Sequence, residues 1–348
     1  MSKNVTLQDV SDAAGVAVGT VHKALHGQKG VSPKKRDEIL KIAASLHYCT
    51  IDTVSEKSFR IAAVFPKPTH ENKYFYTGLW QGLHNRAHEL FPFRFAVDEY
   101  PFEGGTDKQL ELLEHLYDTQ RDTLDALITI IWNERLYTDL INRFTQAGVK
   151  IFTVSADAPS SKRICTIMTN PYRTGRLAAE FLGARVSPEG RVVIIGTKRD
   201  TINHAHIVRG FFDEMLITNP TTEIVELYES VHYPEKLYET VVEFLGSFDN
   251  IRGIYANNAR ATAGLCNALS HSKIKHNVQI VGSELFTESA SYLRSGMLCA
   301  LIDQNAYKQG YTGINMVFEN IVRNQKIPSL CNIEPSLLLK NNLPLEYL

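Results

Sequence analysis

A short stretch near the start of the chain carries side chains suited to contact a large, flat partner. It runs from Gly15 to Gly27 and reads GVAVGTVHKALHG. Gly19 lies in the middle of this helix-like pattern, where a glycine costs about 1 kcal/mol relative to alanine. Helical spacing gives the stretch an inner face, with Val16, Val21 and Ala24, and an outer face, with Val18, Gly19, His22, Lys23 and His26. A partner that lies close against the outer face would explain the glycine.

The distribution of charge indicates what kind of partner this is. The whole chain has a net charge of -1, whereas residues 1–50 carry +3 and the remainder -4. A small basic region on a slightly acidic body favours a polyanion that binds this region alone. The length of 348 residues predicts two or three folding units, and 44% hydrophobic residues are ordinary for a soluble globular protein.

The region around this stretch is predicted to form three short helices. Thr6 and Asp9 are spaced as a helix N-cap and its capping-box partner, and Gly15 is a typical C-cap. The second helix is predicted over 17–25, and Ser32-Pro33 starts a third over 33–48. Its apolar face consists of Ile39, Ile42, Ala43 and Leu46. This pattern fits a helix-turn-helix, and it also fits a generic small helical bundle.

The order of residues from Val5 to Tyr48 resembles the DNA-binding head of the LacI/GalR repressor family. The residues in register with the family pattern are Thr6, Asp9, Val10, Ala14, Gly15, Val16, Thr20, Val21, Lys23, Leu25, Val31, Ser32, Arg36, Ile39, Leu46 and Tyr48. The family has other residues at the positions of Ser11, Ala17, His22 and His26.

The resemblance implies which residues contact double-stranded DNA. Val18, Gly19 and Lys23 would face base edges in the major groove, and Lys23 suits a guanine. Phosphate contacts would position the head on the duplex. The full set of residues expected to contact DNA is Thr6, Leu7, Val18, Gly19, Thr20, His22, Lys23, His26, Ser32 and Lys35.

The head is predicted to span 4–50 and to be followed by a linker at 51–58. The linker is polar and lacks the Pro-Asn and Ala-Arg-x-Leu elements of the family's hinge helix. Ile51 or Val54 is a candidate for the wedge that enters the minor groove in the family, and a flexible tether is the alternative.

The remainder, 59–340, alternates apolar runs with amphipathic helical patterns, which predicts parallel sheets with helices on both faces. The nine runs are RIAAVF, FRFAVDEY, DALITIIW, VKIFTVS, RVVIIG, TTEIVELY, IRGIYAN, NVQIVG and CALIDQ. The runs VSADAPSSKR and GSELFTESASYLRSGMLCALIDQNAYKQGY resemble motifs of the family's effector domain, which is akin to ribose-type periplasmic binding proteins. The fold class is therefore a small all-α head followed by a two-lobed periplasmic-binding-protein type I α/β fold. We expect a first lobe of 59–164 plus 294–325 and a second lobe of 165–290 plus 326–340.

Such domains bind ligands between the lobes, at the carboxyl ends of parallel strands. Aromatic, amide and carboxylate side chains at these ends suit a sugar or sugar derivative. Ser155 stands where sugar-binding relatives commonly have aspartate, Ile207 aligns with their cleft arginine, and Glu284 replaces an aspartate. The expected effector contacts are Phe75, Tyr76, Trp132, Asn133, Ser155, Asp157, Asn203, His206, Tyr255, Asn258, Glu284 and Gln304.

The sequence thus predicts a ligand-responsive transcriptional regulator, most simply a repressor that binds a pseudo-palindromic operator as a homodimer. A sugar-binding protein without a DNA role is the alternative. An enzyme is not expected, because no nucleophile elbow, P-loop or H-E-x-x-H motif is present. No cofactor or metal site is expected, since His204 and His206 lack further ligands nearby. Five scattered cysteines and a start without an apolar signal region predict a cytoplasmic location without membrane contact.

Overall fold

A computed structural model describes residues 6–25, 29–46, 58–196, 202–228, 237–247, 250–271 and 278–347. The chain divides into two compact units. One comprises Met1–Phe59 with Glu89–Ala96, and the other comprises Arg60–His88 with Val97–Leu348. Within the described part of the chain, no helix is long and apolar enough to cross a membrane.

Three helices form the head: α1 (Leu7–Ala14), α2 (Val18–Leu25) and α3 (Pro33–Ser45). The predicted capping box is present, because the Asp9 amide donates to the Thr6 hydroxyl and the Thr6 amide donates to the Asp9 carboxylate. Gly15 ends α1 with φ of 61°, which is the left-handed conformation that glycine adopts without strain. The hydroxyl of Ser11 donates to the Val16 carbonyl at 2.5 Å. Ser11, which stands where the family has another residue, therefore stabilises the turn between α1 and α2.

The core of the head confirms the predicted inner faces of α2 and α3. Val21 and Ala24 are buried on α2, as are Ile39 and Ala43 on α3. Val16, Ile42 and Leu46 are partly buried against the same cluster. The end of the predicted third helix, residues 47 and 48, lies outside the described residues, as does the linker from 51 to 57.

Twelve strands occur in the described remainder of the chain. They are β1 (Phe59–Pro66), β2 (Phe95–Phe102), β3 (Ala126–Thr129), β4 (Lys150–Val154), β5 (Cys165–Thr169), β6 (Arg191–Gly196), β7 (Glu223–Tyr228), β8 (Ile251–Ala256), β9 (Gln279–Ser283), β10 (Ala300–Asp303), β11 (Leu330–Ile333) and β12 (Ser336–Leu338). The nine predicted strands are all among them. The sequence reasoning missed β5, β11 and β12.

The strands form two six-stranded sheets. The first has the order β11-β5-β4-β3-β1-β2, and the second has the order β12-β10-β9-β8-β6-β7. The pairings from β1 through β3, β4 and β5 to β11 are parallel. The second sheet is parallel from β7 through β6, β8 and β9 to β10, and β12 is antiparallel to β10. Parallel sheets with helices between successive strands match the predicted fold class.

Helices connect the strands and pack against the sheets. They are α4 (Lys73–Leu90), α5 (Thr106–Gln120), α6 (Glu134–Gln146), α7 (Pro171–Gly183), α8 (Ile202–Thr218), α9 (Leu237–Gly246), α10 (Ala259–His271), α11 (Thr287–Ser295) and α12 (Ala306–Ile321). Helix α12 lies against β3, β4 and β5, so it belongs to the lobe of the first sheet.

The observed crossings between the lobes correct the predicted lobe bounds. Strand β5 pairs with β4, so 165–169 belongs to the first lobe and the chain crosses only after it. Strand β10 pairs with β9, so 294–303 belongs to the second lobe, and the return crossing follows Asp303. The last segment is split, because β11 joins the first sheet and β12 joins the second.

Each lobe contains a pair of helices that cross in backbone contact at glycines. In the first lobe, a Cβ on Gly82 of α4 would overlap the Tyr307 carbonyl of α12. In the second lobe, a Cβ on Gly175 of α7 would overlap the Ile207 carbonyl of α8. Gly310 and Gly210 make the reciprocal contacts. Only glycine permits helix axes to approach this closely.

Candidate functional sites

The outer face of α2 presents the positions that the sequence predicts for base contacts, together with His22, which is expected to contact a phosphate. Val18 is 37% exposed, and Gly19, His22 and Lys23 are exposed as well. A Cβ placed on Gly19 would meet no atom within 4 Å. Packing within the described part of the chain therefore does not require a glycine at this position, and its small size suits a partner that approaches from outside.

Several of the other residues expected to contact DNA also stabilise the head itself. Thr6 caps α1, and the hydroxyl of Ser32 accepts from the Lys35 amide at 3.3 Å. The Lys35 ammonium lies 3.0 Å from the Glu38 carboxylate. Leu7 is partly buried against the core of the head, and Thr20 is half-buried. The remaining expected contact, His26, lies outside the described residues.

In the body, an aromatic group follows β1 and β3 at the carboxyl edge of the first sheet. Tyr76, in the first turn of α4, is buried, and its hydroxyl lies near the Trp132 side chain. Phe75 meets the Tyr76 ring edge to face at 5.3 Å, and Trp132 meets Phe102 in the same way at 5.8 Å. Burial raises the pKa of Tyr76, because it disfavours the phenolate, so the hydroxyl stays protonated and able to donate.

Two residues occupy equivalent positions in the two sheets and share an unusual backbone. Ser155 directly follows β4 and has φ of 64°, and Glu284 directly follows β9 and has φ of 70°. Positive φ in a residue other than glycine costs free energy of order 1–3 kcal/mol. Such strained residues concentrate at ligand sites, which agrees with the sequence-based choice of both positions.

A buried hydrogen-bond network joins the two lobes beneath the cleft. The hydroxyl of Ser155 donates to the Gln309 side-chain oxygen at 2.7 Å. The Gln309 amide group donates to the Gln304 carbonyl at 2.8 Å, and Thr169 donates to the same carbonyl at 2.8 Å. The Gln304 side chain then donates to the Glu284 carboxyl group at 2.6 Å. The network therefore runs from the end of β4 in the first lobe to the end of β9 in the second.

Glu284 shares its environment with a second carboxyl group, that of Asp303. Glu284 is only 3% exposed, and burial together with the neighbouring Asp303 raises its pKa well above the ordinary value. Burial also raises the pKa of Asp303. Two close carboxyl groups in a desolvated place favour a shared proton. The pair of carboxyl groups therefore holds a proton at a pH where an isolated carboxyl group would be ionised.

Three contacts across the cleft hold the lobes together in this structure. The Asn203 side chain of α8 donates to the Ser155 carbonyl. At the rim, Lys73 lies 3.3 Å from Glu288. Beside this pair, the Tyr74 ring contacts the Phe286 ring with centroids 4.4 Å apart. The structure is thus a closed arrangement of the two lobes.

Several expected ligand contacts instead have roles in the protein itself. Asp157 is held by Arg163 and Thr166, Asn133 caps α6, and Asn258 accepts from the Ala261 amide at the start of α10. Tyr255 is fully buried in the core of the second lobe and stacks on Phe211. His206 is exposed on α8. The sequence predicts Tyr255 and Asp157 as ligand contacts, whereas in the structure their side chains contact other residues of the protein.

Sequence reasoning also missed residues that lie at the same edge. Asn257 is 1% exposed, and its side-chain nitrogen has no hydrogen-bond partner. The sequence predicts the adjacent Asn258 instead, although both asparagines of YANN follow the end of β8. Arg260, Asp303 and Gln309 were also missed, and only their tertiary neighbours single them out. Among the described residues, no three His, Cys, Asp or Glu side chains are grouped to hold a metal ion.

Comparisons with known proteins agree with both parts of the molecule. Residues 6–50 match the bacterial regulatory proteins of the lacI family, and residues 62–325 match the periplasmic binding protein domain. Catabolite control protein A of Priestia megaterium is 22% identical over 212 residues, which is 60% of each chain. The HTH-type transcriptional regulator pepR1 of Lactobacillus delbrueckii subsp. lactis is 21% identical over 321 residues, 90% of each chain.

A similar fold occurs in GanP, a glucose-galactose binding protein from Geobacillus stearothermophilus. It superposes with a TM-score of 0.73 at 24% identity, covering 83% of this chain and 100% of that chain. The chain therefore belongs to the lacI family of bacterial DNA-binding transcriptional regulators, with a helix-turn-helix head and a periplasmic-binding-protein-like body.

Proposed function

We propose that this regulator is a repressor that binds a pseudo-palindromic operator as a homodimer and responds to a sugar-like molecule in the cleft. The observation that supports DNA binding is the outer face of α2. Val18, Gly19, His22 and Lys23 are exposed there, and a Cβ on Gly19 would meet no described atom within 4 Å. A side-chain-free position beside a lysine suits close approach to base edges in the major groove.

The head alone offers few positive charges, and this favours two heads per operator. Residues 1–50 carry a net charge of +3, so one head neutralises few phosphates. A dimer doubles these contacts and makes binding more dependent on salt. Sedimentation and titration with a half-site and a full operator test this. Equal affinity for both duplexes would contradict the dimer.

The cleft supports a sugar-like ligand. Aromatic rings follow β1 and β3 of the first lobe, amide and carboxyl groups follow strands of the second lobe, and a relative of the same fold binds glucose or galactose by name. Flat rings and directional polar groups are what sugars require. We infer that the ligand stabilises the closed lobes, because a ligand shifts an equilibrium only by binding one state better. We propose no catalytic role.

The free cysteines and the DNA target together favour the cytoplasm. Cys165 and Cys266 are buried free thiols, and their burial raises the pKa of each, which makes them unreactive. A thiol-bearing DNA-binding protein fits a reducing compartment that contains the chromosome.

The test of DNA recognition uses two lysines with different expected roles. The operator is first selected from a random duplex library with the full chain. Lys23→Ala is then expected to weaken binding by roughly 5–150-fold and to relax preference at one base pair, whereas Lys35→Ala weakens all sequences alike. If Lys23→Ala lowered affinity uniformly across operator variants, Lys23 would not be a base contact.

The test of the cleft uses Trp132→Ala, because Trp132 contacts the ligand in this proposal and is remote from the head in sequence. Operator affinity is measured with and without a sugar found by thermal-shift screening. We expect unchanged affinity without the sugar and a lost response to it. A retained response would place the regulatory site elsewhere.

A further inference from the structure

A cation at the edge of the second lobe faces the aromatic group of the first. Arg260 lies in the first turn of α10, two residues after the capping Asn258, and is half-buried. Helix α10 lies against the segment His70–Asn72 of the first lobe, which leads into α4, and the Arg260 charge acts on the Tyr76 hydroxyl of that helix. Because Tyr76 belongs to the first lobe, Arg260 faces the inter-lobe space in which a ligand would bind.

No described carboxylate forms an ion pair with Arg260. Other arginines of the body have such partners: Arg163 pairs with Asp157, and Arg176 pairs with Glu214. A half-buried guanidinium is always charged, and its desolvation is offset only when an anion or several acceptors approach it. The structure therefore leaves a positive charge at the cleft without a counterpart in the described protein.

The two carboxyl groups that follow β9 and end β10 have partners within the protein. Glu284 accepts from the Gln304 side chain at 2.6 Å and from its backbone amide at 3.3 Å. It also faces Asp303, and their burial favours the protonated form of Glu284. Glu284 and Asp303 together thus carry less than their full negative charge, and Glu284 is turned toward Gln304 in the crossing segment.

The groups beside Arg260 add hydrogen-bond donors. The Asn257 side-chain nitrogen is buried without a partner, and the side chain lies across Gly196 at the carboxyl end of β6. The first backbone amides of α10 contribute the positive end of a helix dipole. Burial keeps the Tyr76 hydroxyl protonated, so it has a hydrogen to donate. A site that is rich in donors and poor in acceptors selects a ligand rich in acceptors.

We propose that the cleft binds an anionic sugar, one that carries a carboxylate or a phosphate, and that Arg260 receives the negative group. This inference rests on the proposed sugar-sensing function and adds the charge of the ligand to it. A planar guanidinium matches both carboxylate and phosphate oxygens in a bidentate geometry. The hydroxyl of Tyr76 and the side-chain nitrogen of Asn257 complete the set of donors.

The test is calorimetric titration of the full chain with matched compounds. The series are glucose, glucuronate and glucose 6-phosphate, and galactose, galacturonate and galactose 6-phosphate. We expect at least one charged compound to bind about tenfold or more tightly than its neutral parent, since charge-assisted hydrogen bonds are the strong ones. The charged compound that binds more tightly, the uronate or the sugar phosphate, identifies carboxylate or phosphate as the anionic group of the ligand.

Variants assign the effect to Arg260. Arg260→Gln should reduce the preference for the charged compound to about threefold or less, and Arg260→Lys should retain part of it because the charge remains. Arg252→Gln is the matched control, because Arg252 is an exposed arginine near the opposite end of β8. Thermal unfolding checks that each variant is folded.

The possible failures are distinguishable. If neutral parents bind as tightly as charged compounds, or if Arg260→Gln leaves the preference unchanged, the inference about charge is wrong while sugar sensing stands. If none of the six compounds binds while the chain still binds its operator, both the inference and the sugar-sensing proposal are overturned.

Discussion

Replacing Gly19 with alanine should stabilise helix α2 and weaken DNA binding at the same time. The added Cβ would meet no atom within 4 Å, so it costs nothing in packing. Alanine is about 1 kcal/mol more favourable than glycine in the interior of a helix, and Gly19 is the second residue of α2, so the gain here is at most about this large. It corresponds to at most roughly fivefold less frequent opening of α2.

The effect on DNA binding has the opposite sign. The same methyl group would lie on the exposed face between Val18 and Lys23, where the proposed contact with base edges leaves no spare room. A methyl group forced into a close-packed contact typically costs about 1–3 kcal/mol. We therefore expect operator affinity to fall by roughly 5–150-fold. A single substitution would thus separate the stability of the head from its function.

Two assays on the full chain measure the two effects. Hydrogen exchange of the α2 amides reports opening of the helix, and fluorescence anisotropy with a labelled operator reports affinity. Gly246→Ala is the control, because Gly246 ends α9 in the body and a Cβ there also meets nothing within 4 Å. If Gly19→Ala slowed exchange and left operator affinity at the wild-type value, the argument for close approach would be refuted.

Three further outcomes are expected. Gly175→Ala should lower the free energy of unfolding by about 1–3 kcal/mol, because its Cβ overlaps the Ile207 carbonyl, whereas Gly246→Ala should be neutral in the same urea titration. Glu284→Gln should flatten the dependence of thermal stability on pH. The folded wild type holds a proton that the unfolded chain releases above its ordinary pKa of 4.5, so wild-type stability should fall as the pH rises from there through the folded-state pKa. Asn203→Ala removes the donor to the Ser155 carbonyl, so small-angle scattering of the ligand-free chain should show a larger radius of gyration; an unchanged radius would mean that this bond does not hold the lobes closed.

The sequence predicted the strands that alternate with helices, since their buried runs are long and bounded by helical patterns. Strand β5 was missed because CTIMT stands directly before the cap of α7 and is only five residues long. Strands β11 and β12 are shorter still, and they lie at the edges of different sheets. Such short edge strands form because a partner strand lies beside them. The local sequence pattern says little about where that partner is.

The cleft residues show the same limit at the level of side chains. The strand ends predicted Tyr76, Trp132, Ser155, Glu284 and Gln304 as cleft residues. In the structure they lie at or after the carboxyl ends of strands in the two sheets, and Ser155 and Glu284 are linked through Gln309 and Gln304. Their contact with a ligand stays a prediction. No local rule separates Asn257 from Asn258, because one becomes a helix cap and the other a buried amide only when α10 meets β6. The role of Asp157 likewise depends on Arg163, which reaches it from beyond a turn.

The reciprocal glycine contacts in each lobe have a mechanical consequence. Because the helices press backbone against backbone, neither lobe can be sheared or compressed without overlap of main-chain atoms. The lobes should therefore move as two rigid bodies. The hinges should be the crossing segments after β5, after β10 and between β11 and β12. A ligand that pulls on the edge of one lobe should then rotate that lobe as a whole, including its far side, with little internal deformation.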